Sequence, residues 1–319
     1  MSENKLKIAI LGATSEIAKD LIIHFAERDS YQITLFARKV EIVREWLRIL
    51  KLTNQFVVKC LEEFNNERYF DVVINFIGVG NPAQASAMGA SILDITLKYD
   101  TIVLDYLNRN PACKYIFLSS GAAYGEVFKN PVDENVAAVI NINNLKPQDW
   151  YAIAKLHAEC RHRALSKFFI VDIRVFNYFS HTQNMDSRFF ITDIVRAICN
   201  KDILESSEDY MVRDFIHPLD FYQLIKRILD SSPVNTHVDC YSLEPVDKPT
   251  LLIGMKEKFG LDYITSSVRG GGVNATGEKP FYYSLSRRAE QFGYKPQFTS
   301  LEGIALEIHA LISKRSKKR

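Results

Sequence analysis

The stretch "LKIAILGATSEIAKDLIIHFAER" (residues 6–28) changes its period in the middle. Its opening residues form a nearly unbroken apolar run, as a strand buried on both faces requires, and from Ser15 onward the apolar residues recur at helical spacing. Gly12 stands at the join, where glycine's tolerance of positive φ allows a tight turn. A dinucleotide pyrophosphate needs such a turn, a close backbone approach and a helix N-terminus aimed at it. Ser15 and Ala18 stand where a G-x-x-G-x-x-G pattern has its second and third glycines. Both are small, so close approach survives, and Ser15 can offer a hydroxyl to a phosphate. Taken alone, the stretch equally describes a glycine turn capped by Ser15. Its place after the first strand favours the cofactor reading.

Moving outward, the same alternation repeats. Strands are predicted at 32–38, 55–61, 70–78, 113–120 and 168–176, with helices at 41–50 and 90–110 and a further one carrying Tyr151. Strands this apolar, separated by helices, make an α/β doubly wound parallel sheet with ligand bound beyond the carboxyl ends of its strands. After residue 176 the pattern becomes irregular. Helices are expected at 217–230, 248–260 (ended by Gly260) and 300–313, a strand at 237–243, and a glycine-rich loop at 268–280. This half reads as a smaller, discontinuous C-terminal lobe whose chain passes back into the main sheet. The expected division is 1–176 plus about 214–245 for the sheet domain, and about 177–213 plus 246–319 for the lobe.

The totals suit a soluble globular protein: 319 residues, 47% hydrophobic and 24% charged. A net charge of +2 gives no excess of the kind a nucleic-acid-binding protein carries. The one basic run, "SKRSKKR" (313–319), is either a solvated tail or a contact for an anionic surface. Five widely spaced cysteines without a C-x-x-C argue against a disulfide framework or a zinc site and for a reducing cytoplasm. No apolar stretch approaches the length of a membrane span, and the N-terminus lacks the flanks of a signal peptide.

Three further stretches bear on chemistry. Arg38 and Lys39 close the second strand where an acid would bind a free ribose 2′-hydroxyl; two cations instead favour a 2′-phosphate, hence NADP over NAD, unless they are simply solvated. "YIFLSSGAAYG" (115–125) ends a strand in hydroxyls, and Ser120 can bond a reacting carbonyl oxygen, although a serine pair before glycine also suits an ordinary turn. In "DWYAIAKLHAE" (149–159), Tyr151 and Lys155 lie one helical turn apart on one face. "YQLIK" (222–226) repeats that spacing, but Tyr222 lies among apolar neighbours in a later helix and reads as packing. A free tyrosine titrates at about 10, so acting near neutral pH requires about 4 kcal/mol of help. One ammonium about 4 Å away, at an effective dielectric near 20, supplies on the order of 4 kcal/mol.

Together these segments resemble the extended branch of the short-chain dehydrogenase/reductase superfamily, the nucleotide-sugar epimerase, dehydratase and reductase group. The likeness rests on the Gly12 turn, "DVVINFIG" (71–78), "FLSSGAAYG" (117–125), "PVDE" (131–134), "YAIAK" (151–155) with Glu159, and "IRVFN" (173–177). Its most specific parts are "RDFIHPLD" (213–220) and "SRRAEQFGYKPQFTSLEGI" (286–304). The resemblance implies a Rossmann sheet and a catalytic set of Ser120, Tyr151 and Lys155. It implies cofactor contacts from Gly12, Thr14, Ser15, Glu16, Ile17, Arg38, Lys39, Phe76 and Gly78 as well as from Tyr151 and Lys155. On the substrate side it implies Ser120, Gly121, Asn177 and Arg213, the last pairing with a diphosphate, with Lys279 a candidate for a further phosphate contact.

The departures carry information too. Cys60 stands where many relatives have an aspartate that contacts adenine, and "TGEKPFYYS" (276–284) replaces an Arg-Pro-Gly-Asp-like stretch. Sugar dehydratases of the family carry an acidic pair directly after the catalytic hydroxyl; Gly121 and Ala122 occupy those positions and shuttle no proton. The resulting expectation is an NADPH-dependent reductase of a nucleotide-linked 4-keto-6-deoxy sugar. The alternatives are an NAD-dependent 4-epimerase and a nucleotide-sensing protein that kept the fold without catalysis. Relatives often pair through two long helices, and the patterns at 90–110 and 149–166 permit either such a homodimer or a monomer.

Overall fold

The computed structural model describes residues 5–27, 31–64, 69–78, 87–187, 189–266 and 279–316. Most of the glycine-rich loop predicted at 268–280 and the last residues of the basic tail lie outside them.

Strands β1 (Leu6–Leu11), β2 (Tyr31–Ala37), β3 (Val57–Cys60), β4 (Val72–Asn75), β5 (Lys114–Ser120), β6 (Ile170–Val175) and β7 (Thr236–Asp239) form one seven-stranded sheet in the order β7-β6-β5-β4-β1-β2-β3. Every pairing within it is parallel. The apolar run of β1 has a direct structural meaning. Ile8 and Ile10 point to one face and join Leu21, Ile22 and Phe25 of helix α1 (Glu16–Ala26). Ala9 and Leu11 point to the other. There they meet Val103, Leu104 and Leu107 of the long helix that follows β4. Both faces are thus covered, as a parallel sheet demands. The helices α2 (Val40–Ile49), α3 (Ser91–Arg109) and α4 (Asp149–Ala164) complete this half. The strand order reverses between β1 and β4, which places the ligand crevice at the ends of those two strands.

A second apolar cluster forms around Phe179, Ile194, Leu251, Met255, Ile304 and Ile308. It is built by helices α5 (Phe190–Asn200), α7 (Lys248–Phe259) and α8 (Ser300–Ser316). Between them, α6 (Pro218–Leu229) packs back on the main sheet through Leu224, Ile225 and Ile228. Tyr222 belongs to that packing, its ring against Phe25 and His24. Asp247 caps α7 by accepting from the Thr250 N–H at 2.7 Å, and Gly260 closes it at φ +68°. The sequence reading missed α5. Its N-cap is Phe189, an aromatic, and the Phe189 N–H is satisfied instead by Thr192 Oγ1 at 3.1 Å. It also missed several strands of two to four residues, among them Val212–Arg213 lying between Val246–Asp247 and Phe281–Tyr282.

Candidate active site

The turn after β1 fits a dinucleotide. Gly12 sits at φ +80°, and a Cβ there would meet the Phe76 carbonyl carbon and the Ile77 N at 3.0 Å. A side chain would therefore push β1 and β4 apart at the mouth of the crevice. Across the gap, Asn75 Oδ1 accepts from the Ile77 N–H at 2.8 Å and fixes the loop that continues to Gly78. Ala18 is fully buried, so a small residue is needed at the third glycine position. Ser15 is the N-cap of α1, yet its side chain makes no capping hydrogen bond. Thr14 is exposed, and Ile17 packs partly against the core. Arg38 and Lys39 are exposed at the end of β2, with no acid beside them in the chain. Glu16 and Phe76 face elsewhere. The Glu16 carboxylate accepts from the Asn184 N–H at 2.8 Å, and the Phe76 ring enters the core against Phe221. Only the backbone of Phe76 borders the turn.

The three residues expected to react lie together where β5 ends and α4 begins. Ser120 is the last residue of β5 and Tyr151 lies in the first turn of α4, its phenol near enough to feel the Ser120 hydroxyl. Lys155 is buried and donates to the Leu118 carbonyl at 2.6 Å, with its ammonium 5.9 Å from the centre of the Tyr151 ring. Gly78 leaves room for it: a Cβ there would stand 3.3 Å from Lys155 Nζ. Burial lowers the Lys155 pKa to about 8. The sequence reading expected this lysine to lower the phenol. The structure gives the opposite direction, because burial raises Tyr151 and the Ser120 hydroxyl offsets only part of that.

Gly121 is pressed against Phe176, whose ring atoms would lie 2.4–2.9 Å from a Cβ. Any side chain there, acidic or otherwise, would force the ring to move. Below it runs a buried polar network. Ser119 Oγ donates to Glu159 at 2.5 Å, Arg174 grips the same carboxylate through Nε and Nη2, and Arg174 Nη1 reaches Asp239 at 3.5 Å. Asp239 also accepts from Tyr124 at 2.9 Å and from Ser284 at 2.5 Å. Glu159, which the sequence showed only as part of a pattern, thus anchors the strand that ends in Ser120.

On the outer side, Asn177 Nδ2 donates to the Asp214 carbonyl at 3.3 Å. Arg213 lies across a short ladder from Tyr282. Burial lowers Arg213 to about 10 and Lys279 to about 8, with the charge of Arg213 adding to the effect on Lys279. Two neighbouring, partly desolvated cations are suited to a polyanion. The Lys279 ammonium stands 5.0 Å from the centre of the Tyr282 ring. Tyr282 is the residue the sequence reading overlooked: its hydroxyl lies 3.3 Å from Ser120 Oγ. The signal was the aromatic run "FYY" (281–283) inside the stretch that departs from the family pattern.

A doubly wound sheet with a glycine turn at its switch point, and Ser120, Tyr151 and Lys155 beside it, defines an extended short-chain dehydrogenase/reductase. The chain matches the NAD dependent epimerase/dehydratase family over residues 8–240, and it belongs to that family. It is accordingly an NAD(P)-dependent enzyme. No curated protein matches the sequence. Among solved structures it is similar in fold to the UDP-glucuronic acid 4-epimerase of Bacillus cereus in complex with UDP-glucuronic acid and NAD, at TM-score 0.78 and 16% identity, covering 97% of this chain and 100% of that one. It is also similar to the UDP-glucose 4-epimerase of Bifidobacterium longum in complex with NAD+ and UDP, at TM-score 0.75 and 18% identity over 98% and 100% of the two chains. A dTDP-glucose 4,6-dehydratase from Bacillus anthracis in complex with NAD matches at TM-score 0.76 and 16% identity over 98% of each chain. Among the described residues no helix is long and apolar enough to cross a membrane.

Proposed function

We propose that the protein reduces the 4-keto group of a nucleotide-linked 6-deoxy sugar with NADPH. The observation that carries this reading is the contact of Gly121 with Phe176, which leaves no space for a dehydratase's acid beside an otherwise complete Ser120, Tyr151 and Lys155 set. The bound nicotinamide supplies the hydride. Tyr151 gives its proton to the oxygen at C4 as negative charge develops there, and Ser120 holds that oxygen. A phenol whose pKa is raised by burial keeps its proton until it is needed, which suits an acid. Lys155, beside the end of β4, stands where it can hold the ribose of the nicotinamide. Arg38 and Lys39 support a 2′-phosphate on the adenosine ribose, and Arg213 with Lys279 supports a diphosphate on the substrate.

The second reading is a nucleotide-sugar 4-epimerase. It is favoured by the epimerases among the similar folds, of which the two named above are described with NAD. There Tyr151 would first take the proton of the C4 hydroxyl and later return it. Two measurements separate the readings. The first is a panel of nucleotide-linked keto sugars with NADPH oxidation followed by absorbance. The second is an assay of cofactor released from the purified protein. Net NADPH consumption on a keto sugar supports the reductase; tightly retained NAD with interconversion of two sugars and no net consumption overturns it.

A further inference from the structure

We propose that Tyr282 is a positioning residue for Ser120: its phenol donates to Ser120 Oγ and so aims that hydroxyl's single proton at the substrate's oxygen. The step rests on the reading that Ser120 and Tyr151 both act on that oxygen.

A serine hydroxyl has one proton and two lone pairs. One lone pair of Ser120 Oγ is already taken by the Ala122 N–H at 3.2 Å. Tyr282 OH lies 3.3 Å from the same oxygen, and the Tyr151 phenol is the other hydroxyl that acts on it. With two phenols beside it, one can donate to Oγ while the other accepts from it. Once a keto oxygen arrives, Tyr151 must aim its proton at that oxygen, and Ser120 must do the same. The second lone pair is then left to Tyr282 alone. Without that donor, a buried acceptor would go unsatisfied, and the serine proton would be free to turn toward the Tyr151 oxygen instead of the substrate.

Tyr282 is held firmly enough for this task. Its ring meets Phe128 at 4.7 Å and Phe176 at 5.2 Å, both edge to face. Its strand pairs with Val212–Arg213, and two residues on, Ser284 is tied to Asp239 and bridged to Val132. Burial keeps the phenol protonated throughout the physiological range, so it remains a donor. A ring that merely walled the pocket would not need its hydroxyl on the catalytic serine.

The test is a double-mutant cycle on turnover, run with whichever nucleotide sugar the panel identifies, comparing the wild type, Tyr282→Phe, Ser120→Ala and the double variant. Phenylalanine keeps the ring between Phe128 and Phe176, so folding is not at stake. Tyr282→Phe is expected to lower kcat about tenfold, the loss of roughly one ordinary hydrogen bond, with KM little changed. The double variant should be no slower than Ser120→Ala, because the phenol then has no hydroxyl to orient. A double variant whose loss is the product of the two single losses overturns the role of Tyr282 alone, as does Tyr282→Phe with unchanged kcat. A Ser120→Ala variant at wild-type speed overturns the catalytic set and this role together.

Discussion

Gly121→Ala tests the close contact between Gly121 and the Phe176 ring. The added Cβ would stand 2.4, 2.5 and 2.9 Å from three atoms of the Phe176 ring. Ordinary carbon contacts lie at about 3.5–4.0 Å, so the ring must retreat by roughly 1 Å. It has little slack, being buried with Tyr282 at 5.2 Å, Phe128 at 6.1 Å and Tyr124 at 6.4 Å between ring centres. Overpacking of this kind costs about 1–3 kcal/mol. For a chain of this size each kcal/mol moves Tm by about 2 °C, so a loss of roughly 2–6 °C is expected. The displaced ring also presses on Tyr282, so kcat falls as well. Thermal melts and steady-state turnover of the variant are the assay, with Gly121→Ala/Phe176→Leu as the rescue. A variant that melts and turns over like the wild type would refute the steric reasoning, because Phe176 would then have room to move.

Three other outcomes are expected. Tyr151→Phe should lower kcat by about 10² or more while leaving the melting temperature nearly unchanged; a smaller loss removes the phenol from the role of acid. Arg38→Ala should raise KM for NADPH about tenfold with little effect on KM for NADH, and equal effects on both would show that the side chain does not read the 2′-phosphate. His162 gives the pH dependence. Burial opposes its charge, but Asp172 and Asp100, bonded to its two nitrogens at 2.6 and 2.7 Å, prevail and raise its pKa from 6.5 to about 9. A value raised by folding contributes stability that is fully present below about pH 6.5 and lost as the pH rises through about 9, on the order of 3 kcal/mol. Urea midpoints should therefore fall over that window in the wild type more than in His162→Gln, and parallel curves would contradict the assignment.

The sheet was legible because burial on both faces leaves a simple trace: β1, β4 and β5 read as apolar runs, and the glycine between β1 and α1 marks the crevice. The nearness of Ser120, Tyr151 and Lys155 was legible through chain order, since the helix begins beside the end of the strand that closes in a hydroxyl. What failed to show was long-range. Tyr282 meets Ser120 across 162 residues, and no local period records that. The same holds for Glu159, Arg174 and Asp239, whose purpose exists only once three strands have been assembled. The direction of the Tyr151 pKa was misjudged for a related reason. A Coulomb estimate from spacing counted the ammonium but not the desolvation, and it did not foresee that Lys155 would spend a proton on the Leu118 carbonyl. Helix α5 was lost to its aromatic N-cap, which carries none of the usual start signals.

Asp239 belongs to the last strand of the sheet, yet one of its partners, Ser284, comes 45 residues later in the chain. A ribosome delivers the strand well before that serine. Until then Asp239 lacks one of its donors and Ser120 lacks Tyr282 beside it. Vectorial synthesis thus leaves the wall beside Ser120 for the closing segment to supply.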